Sequence, residues 1–141
     1  MKRDQKLEHA LQKVQKPGRY VGGELNSVVK DPSQVDVRFA FCFPDTYEIG
    51  MSHLGIKILY GAINQVPYFW CERAFAPWVD MEEEMRREGI PLYALESGDP
   101  VNRFDFIGFT LQYELSYTNV LNMLQHRGGR RSLCLQPGAF G

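Results

Sequence analysis

The chain has 141 residues, 44% of them hydrophobic, which is long enough for one domain with its own core. Its 16 Lys and Arg residues nearly balance 17 Asp and Glu residues, and the net charge of −1 excludes bulk electrostatic attraction to nucleic acids or anionic membranes. The sequence has no apolar run of the roughly 20 residues that a membrane span needs, and its N-terminus lacks a secretory signal. The three cysteines, Cys42, Cys71 and Cys134, match neither a disulfide framework nor a zinc motif. We therefore expect a cytoplasmic protein with reduced thiols.

Residues 1–34 are predicted to form an N-terminal helix and an extended arm. Leu7, Leu11 and Val14 recur at helical spacing, and a Pro-Gly pair at 17–18 ends the helix. The arm is rich in Gly and Asn, with one short strand expected at 27–30 before an Asp-Pro-Ser turn.

The pattern of residues 35–125 predicts an α/β domain with a mostly parallel sheet. Residues 35–43 (VDVRFAFCF) and 104–110 (FDFIGFT) have the apolar character of strands that are buried on both faces. Each is followed at once by a helical pattern, so we expect the two strands to lie side by side and parallel. A weaker strand is expected at 70–75 and an edge strand at 90–95, where Pro91 cannot donate to a ladder.

Three helices are expected in this domain, at 52–64, at 80–89 behind a D-x-x-E capping box, and after residue 110. The stripes expected to face the core are Leu54, Ile58, Leu59, Ala62 and Ile63 in the first helix, and Tyr113, Tyr117, Val120, Leu121 and Leu124 in the last.

Polar residues concentrate where the two buried-type strands end, in the loops at 44–53 and 110–114. Ligands of parallel sheets bind at these carboxyl ends, where helix N–H groups favour anionic or polar groups and glycines allow close approach. The candidate cofactor-binding residues are Asp45, Tyr47, Gly50, Ser52, His53, Gly55, Thr110 and Tyr113. The alternative interpretation is that Asp45 or Ser52 only caps a helix and that His53 is a loop histidine.

No catalytic residue and no metal ligand is predicted. The sequence contains no phosphate-binding loop, no dinucleotide fingerprint and no G-x-S-x-G elbow. One histidine and two carboxylates within nine residues are a weak metal signal.

Four stretches resemble the N-terminal region of a radical SAM protein family whose members carry a cobalamin-binding-like domain ahead of a radical SAM barrel. They are RYVGGELNSVVKD, VDVRFAFCFPDTYEIGMSHLGIKILYGAIN, ERAFAPWVDMEEEMRREGIPLYALES and FDFIGFTLQYELSYTNVLNML. The resemblance implies a Rossmann-like, cobalamin-binding-type fold for residues 35–125, with a corrinoid as the small-molecule ligand. Cobalamin domains with a histidine ligand use D-x-H-x-x-G, and this chain has Asp45, Tyr47 and Gly50 at that spacing. The resemblance therefore implies cobalamin bound without a histidine from that position.

A second cobalamin signature, S-x-L, would fall at Thr110 and Gln112 as T-x-Q. The family also implies a [4Fe–4S] cluster and S-adenosylmethionine, held through C-x-x-x-C-x-x-C, a motif that this sequence lacks. We expect these cofactors only in full-length members, with the missing barrel as a covalent or separate partner of a chain that is not catalytic alone.

Residues 126–141 (HRGGRRSLCLQPGAFG) break the pattern and are expected to be an irregular tail that leaves the sheet incomplete at its C-terminal end. A frameshifted gene, a truncation and a disordered tail remain open alternatives. For the chain as a whole, the alternative function is a stand-alone α/β binding or interaction module that no longer binds a corrinoid. A flavodoxin-like FMN protein is less favoured, because the first loop lacks a Ser/Thr-rich phosphate-binding run.

Overall fold

The computed structural model describes residues 4–126, whose centre is one parallel sheet. Strands β1 (Val37–Phe43), β2 (Phe69–Phe75) and β3 (Phe106–Phe109) lie in the order β2-β1-β3. Phe39 of β1 pairs with Cys71 of β2 on one side and with Phe106 of β3 on the other, both in parallel. The predicted α/β class and the parallel pairing of the first and last strands are confirmed.

The helices flank this sheet. They are α1 (Gln5–Leu11), α2 (Tyr47–Ser52), α3 (Leu54–Asn64), α4 (Val79–Glu88) and α5 (Ser116–His126), with short 3-10 turns at Pro17–Tyr20, Pro32–Gln34 and Val101–Arg103. None of them is both long and apolar enough to cross a membrane, within the residues described.

The N-terminal helix packs as its stripe predicts, although it ends at Leu11. Leu7, Leu11 and Val14 are buried, and α1 contacts α4. The acidic helix begins at Val79 behind Trp78, which provides no side-chain cap, so the predicted capping box is wrong.

Two predicted strands do not form. No strand lies at 27–30, because Val28 N donates to the Tyr60 hydroxyl and Val28 O accepts from Trp70 Nε1. Residues 90–95 are a buried loop with one isolated bridge, Tyr93 to Pro100. The backbone of this loop makes separate hydrogen bonds to other segments instead of a ladder. Leu95 N, for example, donates to Arg73 O of β2, and Leu92 N donates to His126 O of α5.

The prediction that the last strand is buried on both faces is also wrong. β3 is the edge strand of the described sheet, and the Phe106 side chain is 59% exposed. The ring of Phe39 fills the space over Gly108, and pairing with β1 covers only one side of the strand.

Helix α3 packs through a different stripe from the predicted one. Ile56, Tyr60 and Asn64 are buried, whereas Leu54, Ile58 and Leu59 are exposed. Polar contacts decide this orientation. The Asn64 amide exchanges two 2.9 Å hydrogen bonds with the backbone of Cys71, and the Tyr60 hydroxyl accepts from Val28 N.

Helix α5 departs from its predicted face in the same way. Ser116 and Met123 are buried, Val120 and Leu124 are half-buried, and Tyr113, Tyr117 and Leu121 are exposed. The flank that carries Asn119, Asn122 and His126 faces the neighbouring structure instead, because these side chains contact Pro44 and α4. Apart from His126, the predicted tail lies outside the described residues.

Candidate functional site

The crevice between the carboxyl ends of β1 and β3 is the topological switch point of the sheet. The chain leaves β1 for β2 on one side and returns to β3 on the other. Such points are where open α/β sheets bind ligands, because the loops leave in opposite directions. Two hydrogen bonds join the loops here, from the Tyr113 hydroxyl to Asp45 Oδ2 at 3.4 Å and between His53 Nε2 and Gln112 Oε1 at 3.2 Å.

Asp45 begins the loop that follows β1. Its Oδ1 accepts from Thr46 N at 2.7 Å, which leaves Oδ2 to meet Tyr113. The same loop is tied to α5, because Asn119 Nδ2 donates to Pro44 O. Asp45 therefore joins the loop after β1 to Tyr113 in the loop after β3, and it does not cap α3.

His53 is the residue that caps α3. Its Nδ1 accepts from Ile56 N at 3.4 Å, so the neutral ring carries its proton on Nε2 and donates to Gln112. The ring packs against Phe43, with 5.3 Å between the ring centroids, and against Gly55, where a Cβ would lie 2.9 Å from His53 Cε1. Both nitrogens are thus engaged within the protein.

Thr110 directly follows β3, at the carboxyl end of that strand, and carries an unpaired polar atom. Its hydroxyl oxygen is buried, and it has no hydrogen-bond partner within residues 4–126. Buried hydroxyls nearly always have a hydrogen-bond partner, so the lack of one at Thr110 is an exception that needs an explanation.

Three predicted site residues lie elsewhere, toward β2 or the surface. The Tyr47 ring meets Phe75 edge-on with 5.6 Å between centroids, and burial raises the pKa of its phenol, helped by nearby Glu24. Gly50 lets the Phe75 ring pack on the α2 backbone, and Ser52 Oγ donates to Glu48 O at 2.7 Å. Each has a packing or capping role, and a cofactor contact at these positions stays a prediction.

A buried ion pair that the sequence does not signal lies beside Tyr47. Arg73 Nε is 2.7 Å from Glu96 Oε1, Arg73 N is 2.7 Å from Glu96 Oε2, and the guanidinium lies 4.3 Å from the Tyr60 ring centroid. Burial raises the pKa of Glu96, more than the charge and hydrogen bonds of Arg73 lower it. Because Arg73 also donates to Ser27 Oγ, the pair anchors the N-terminal arm to β2.

A second ion pair holds the opposite face of β2. Arg38 contacts Glu72 and lies 2.8 Å from Asp99, between the rings of Trp70 and Phe104. Burial raises the pKa of Glu72. These charges have partners within the fold, which indicates a structural role.

The segments that follow the three strands also present large apolar side chains to solvent. These are Ile49 in α2, Trp78 and Val79 at the start of α4, and Leu111 and Leu115 before α5. An apolar surface with a few polar groups is typical of sites for sizeable organic ligands.

No group of three or more His, Cys, Asp or Glu side chains within residues 4–126 is arranged to hold a metal ion. Cys42 and Cys71 are buried, and burial raises the pKa of each thiol to about 12. Thiolates are the metal-binding form, so neither cysteine is a ready ligand.

Comparison with known proteins gives one finding. A family model described as "Radical SAM proteins, N-terminal" matches residues 55–129, which is more than half of the chain. No curated protein matches the chain, and no solved structure does.

Proposed function

Because this chain belongs to the family of radical SAM proteins, whose N-terminal region it carries, we propose that it is a cobalamin-binding-type domain. In this proposal it holds a corrinoid at the crevice between β1 and β3 and has no catalytic power alone. A radical SAM barrel, covalent or separate, is its partner and supplies the [4Fe–4S] cluster and S-adenosylmethionine site.

The unpaired hydroxyl of Thr110 is the observation that carries the proposal. It is a buried donor and acceptor at the carboxyl end of β3, beside the switch point. A corrinoid is rimmed by amide groups, which would satisfy this hydroxyl. The apolar side chains of the surrounding loops, such as Leu111 and Leu115, suit the rest of a large ligand.

The residues fit a corrinoid that takes no cobalt ligand from this loop. The nitrogens of His53 are engaged with Ile56 and Gln112, and the Tyr47 phenol is turned toward Phe75 and Glu24. A neutral phenol is also a far weaker ligand than imidazole, since its ordinary pKa is about 10. The role of this chain would be to bind and orient the ligand.

Titration of the purified full chain with hydroxocobalamin, followed by its visible spectrum and by calorimetry, tests the proposal. We expect saturable binding, and we expect Thr110→Val to weaken it about fivefold, because one hydrogen bond contributes about 1 kcal/mol. Thr118→Val is the matched control, since the Thr118 hydroxyl donates to Leu115 O within the α5 region. Absence of binding, or equal affinity of Thr110→Val and the wild type, would contradict the proposal.

The second candidate is a stand-alone module that binds no corrinoid. The hydrogen bonds from Tyr113 to Asp45 and between His53 and Gln112 favour it, because they bridge the crevice. The same titration separates the two, since this module would leave the hydroxocobalamin spectrum unchanged.

A further inference from the structure

One nitrogen of the buried Arg73 guanidinium is paired with a weak acceptor. Arg73 Nε donates to Glu96 Oε1. Nη2 donates to Ser27 Oγ at 3.1 Å and lies 3.7 Å from Glu24 Oε2. Within the described part of the chain, the acceptor of Nη1 is the thioether sulfur Sδ of Met51, at 3.3 Å. Because a thioether sulfur is a weak acceptor, and a buried cation is stabilised by strong ones, Nη1 would gain from a stronger acceptor at this position.

Met51 differs in exposure from the other methionines of the described chain. Met81, Met85 and Met123 are at most 2% exposed, whereas Met51 is half-buried near the end of α2. An oxidant in solution must reach the sulfur of a methionine, and a buried sulfur is reached only after local opening of the fold. Met51 is therefore the methionine of this group that such an oxidant reaches most directly.

From these two observations we propose that Met51 is a site of oxidation by hydrogen peroxide, and that Arg73 binds the sulfoxide that forms. A lone pair of the Met51 sulfur attacks one peroxide oxygen, and the O–O bond breaks. That oxygen stays on the sulfur and passes its proton to the other oxygen, which leaves as water. The sulfur is thus oxidised by one electron pair, and the peroxide is reduced to water. Methionine sulfoxide reductases, with thiols as the reductant, convert such a sulfoxide back to the thioether and water.

The contact with Arg73 makes this oxidation compatible with the fold. A sulfoxide gives an apolar side chain a polar oxygen, which disrupts a core where that oxygen has no partner. At Met51 the new oxygen accepts a charge-assisted hydrogen bond from Arg73 Nη1, which is stronger than the present bond to sulfur. The bonds of Arg73 to Glu96 and Ser27 use its other nitrogens, so the N-terminal arm stays anchored.

Graded treatment of the purified full chain with hydrogen peroxide, followed by mass mapping of its peptides, tests the site. We expect Met51 to be oxidised at least about tenfold faster than Met81, Met85 and Met123, because these three react only after local opening. We also expect protein that is oxidised at Met51 to unfold in urea at the same midpoint as the untreated protein, or at a higher one.

Paired substitutions at two methionines test the role of Arg73 without any oxidant. Glutamine presents a carbonyl oxygen, as an acceptor in place of the sulfoxide oxygen, whereas leucine has about the volume of methionine and no acceptor. Met51→Gln should therefore have a urea midpoint at least as high as that of Met51→Leu. Met85 is the matched control, because it is buried in the apolar core. There the order should reverse, with a clearly lower midpoint for Met85→Gln than for Met85→Leu.

Three outcomes would overturn the proposal. They are oxidation of Met51 that is no faster than that of the buried methionines, a lower urea midpoint after oxidation of Met51, and a preference for leucine over glutamine that is as large at position 51 as at position 85. The first outcome would show that the Met51 sulfur is covered in solution. The other two would show that Arg73 does not bind an oxygen at this position.

Discussion

Gly50 allows helix α2 to lie close to the sheet. A Cβ at this position would overlap the Phe75 ring and would lie 3.1 Å from Phe43 Cδ1. Because both rings are in the core, they cannot move aside without cost. We expect Gly50→Ala to lower the free energy of unfolding by about 1–3 kcal/mol in urea titrations.

Gly61 provides the control for that substitution. It also lies in a helix, α3, but a Cβ there meets no atom within 4 Å. Gly61→Ala should raise the free energy of unfolding by about 0.5–1 kcal/mol, because alanine has the higher helix propensity. Equal effects of the two alanine substitutions would show that backbone entropy, and not the Phe75 contact, governs position 50.

The buried pair of Arg73 and Glu96 should respond unequally to removal of each partner. Arg73→Met leaves the Glu96 carboxylate buried without its cation and also removes the stacking on Tyr60, so we expect a loss of about 3–5 kcal/mol. Glu96→Gln removes the carboxylate that burial disfavours and keeps an oxygen that accepts from Arg73 N, so its cost should be smaller. Urea unfolding of both variants at neutral pH measures the difference, and a larger loss for Glu96→Gln would contradict the argument.

The raised pKa of Glu96 gives this pair a pH dependence of known sign. Between the ordinary pKa of 4.5 and the raised pKa in the fold, the folded state holds more protons than the unfolded state. Its contribution to stability is therefore present below the ordinary pKa and is lost as the pH rises through the raised one. We expect the cost of Glu96→Gln to shrink as the pH is raised from about 4.5 to about 7.

Glu82 is the opposite case. Arg86 and Asn122 lower its pKa despite burial, so the cost of Glu82→Gln should grow with pH.

At the scale of elements, the two faces of α3 provide a comparison within one helix. Ile56 is buried against the sheet, whereas Ile58, two residues later, points to solvent. Ile56→Ala should cost about 2–5 kcal/mol of unfolding free energy, and Ile58→Ala less than about 0.5 kcal/mol. Thermal and urea unfolding of the two variants measure both values. Similar costs would mean that the exposed face of α3 is covered in solution.

The sequence predicts the strands better than the helix faces. β1 is apolar without interruption from Phe39 to Phe43, a pattern that needs no knowledge of neighbours, and both β1 and β2 form close to the predicted bounds. The inward face of α3 is decided by Asn64, whose amide pairs with the backbone of Cys71, and by the Tyr60 hydroxyl, which accepts from Val28 N. These are contacts between distant segments, so hydrophobic spacing within the helix cannot reveal them.

At the scale of the whole molecule, topology makes half of the candidate site predictable. The prediction that the loops after the first and last strands meet requires only that the two strands are adjacent and parallel. In the structure, Asp45 is hydrogen-bonded to Tyr113, and His53 is hydrogen-bonded to Gln112. The pairing of Arg73 with Glu96 joins residues that are 23 positions apart with no periodic relation, so no local pattern signals it. The buried hydroxyl of Thr110 is visible only once its surroundings are known.

The whole chain should not assemble an iron–sulfur cluster, although its family uses one. The full sequence has no C-x-x-x-C-x-x-C, and cluster iron needs several thiolates from one site. Cys42 and Cys71 lie on different strands, and both have pKa values raised to about 12, so they are protonated at neutral pH. We expect anaerobic reconstitution with iron and sulfide to give no stoichiometric [4Fe–4S] absorption, and we expect no 5′-deoxyadenosine with S-adenosylmethionine and reductant. Cys134→Ser, which removes the third thiol, should behave as the wild type does. A stoichiometric cluster with turnover in the wild type would show that this chain is catalytic without a barrel.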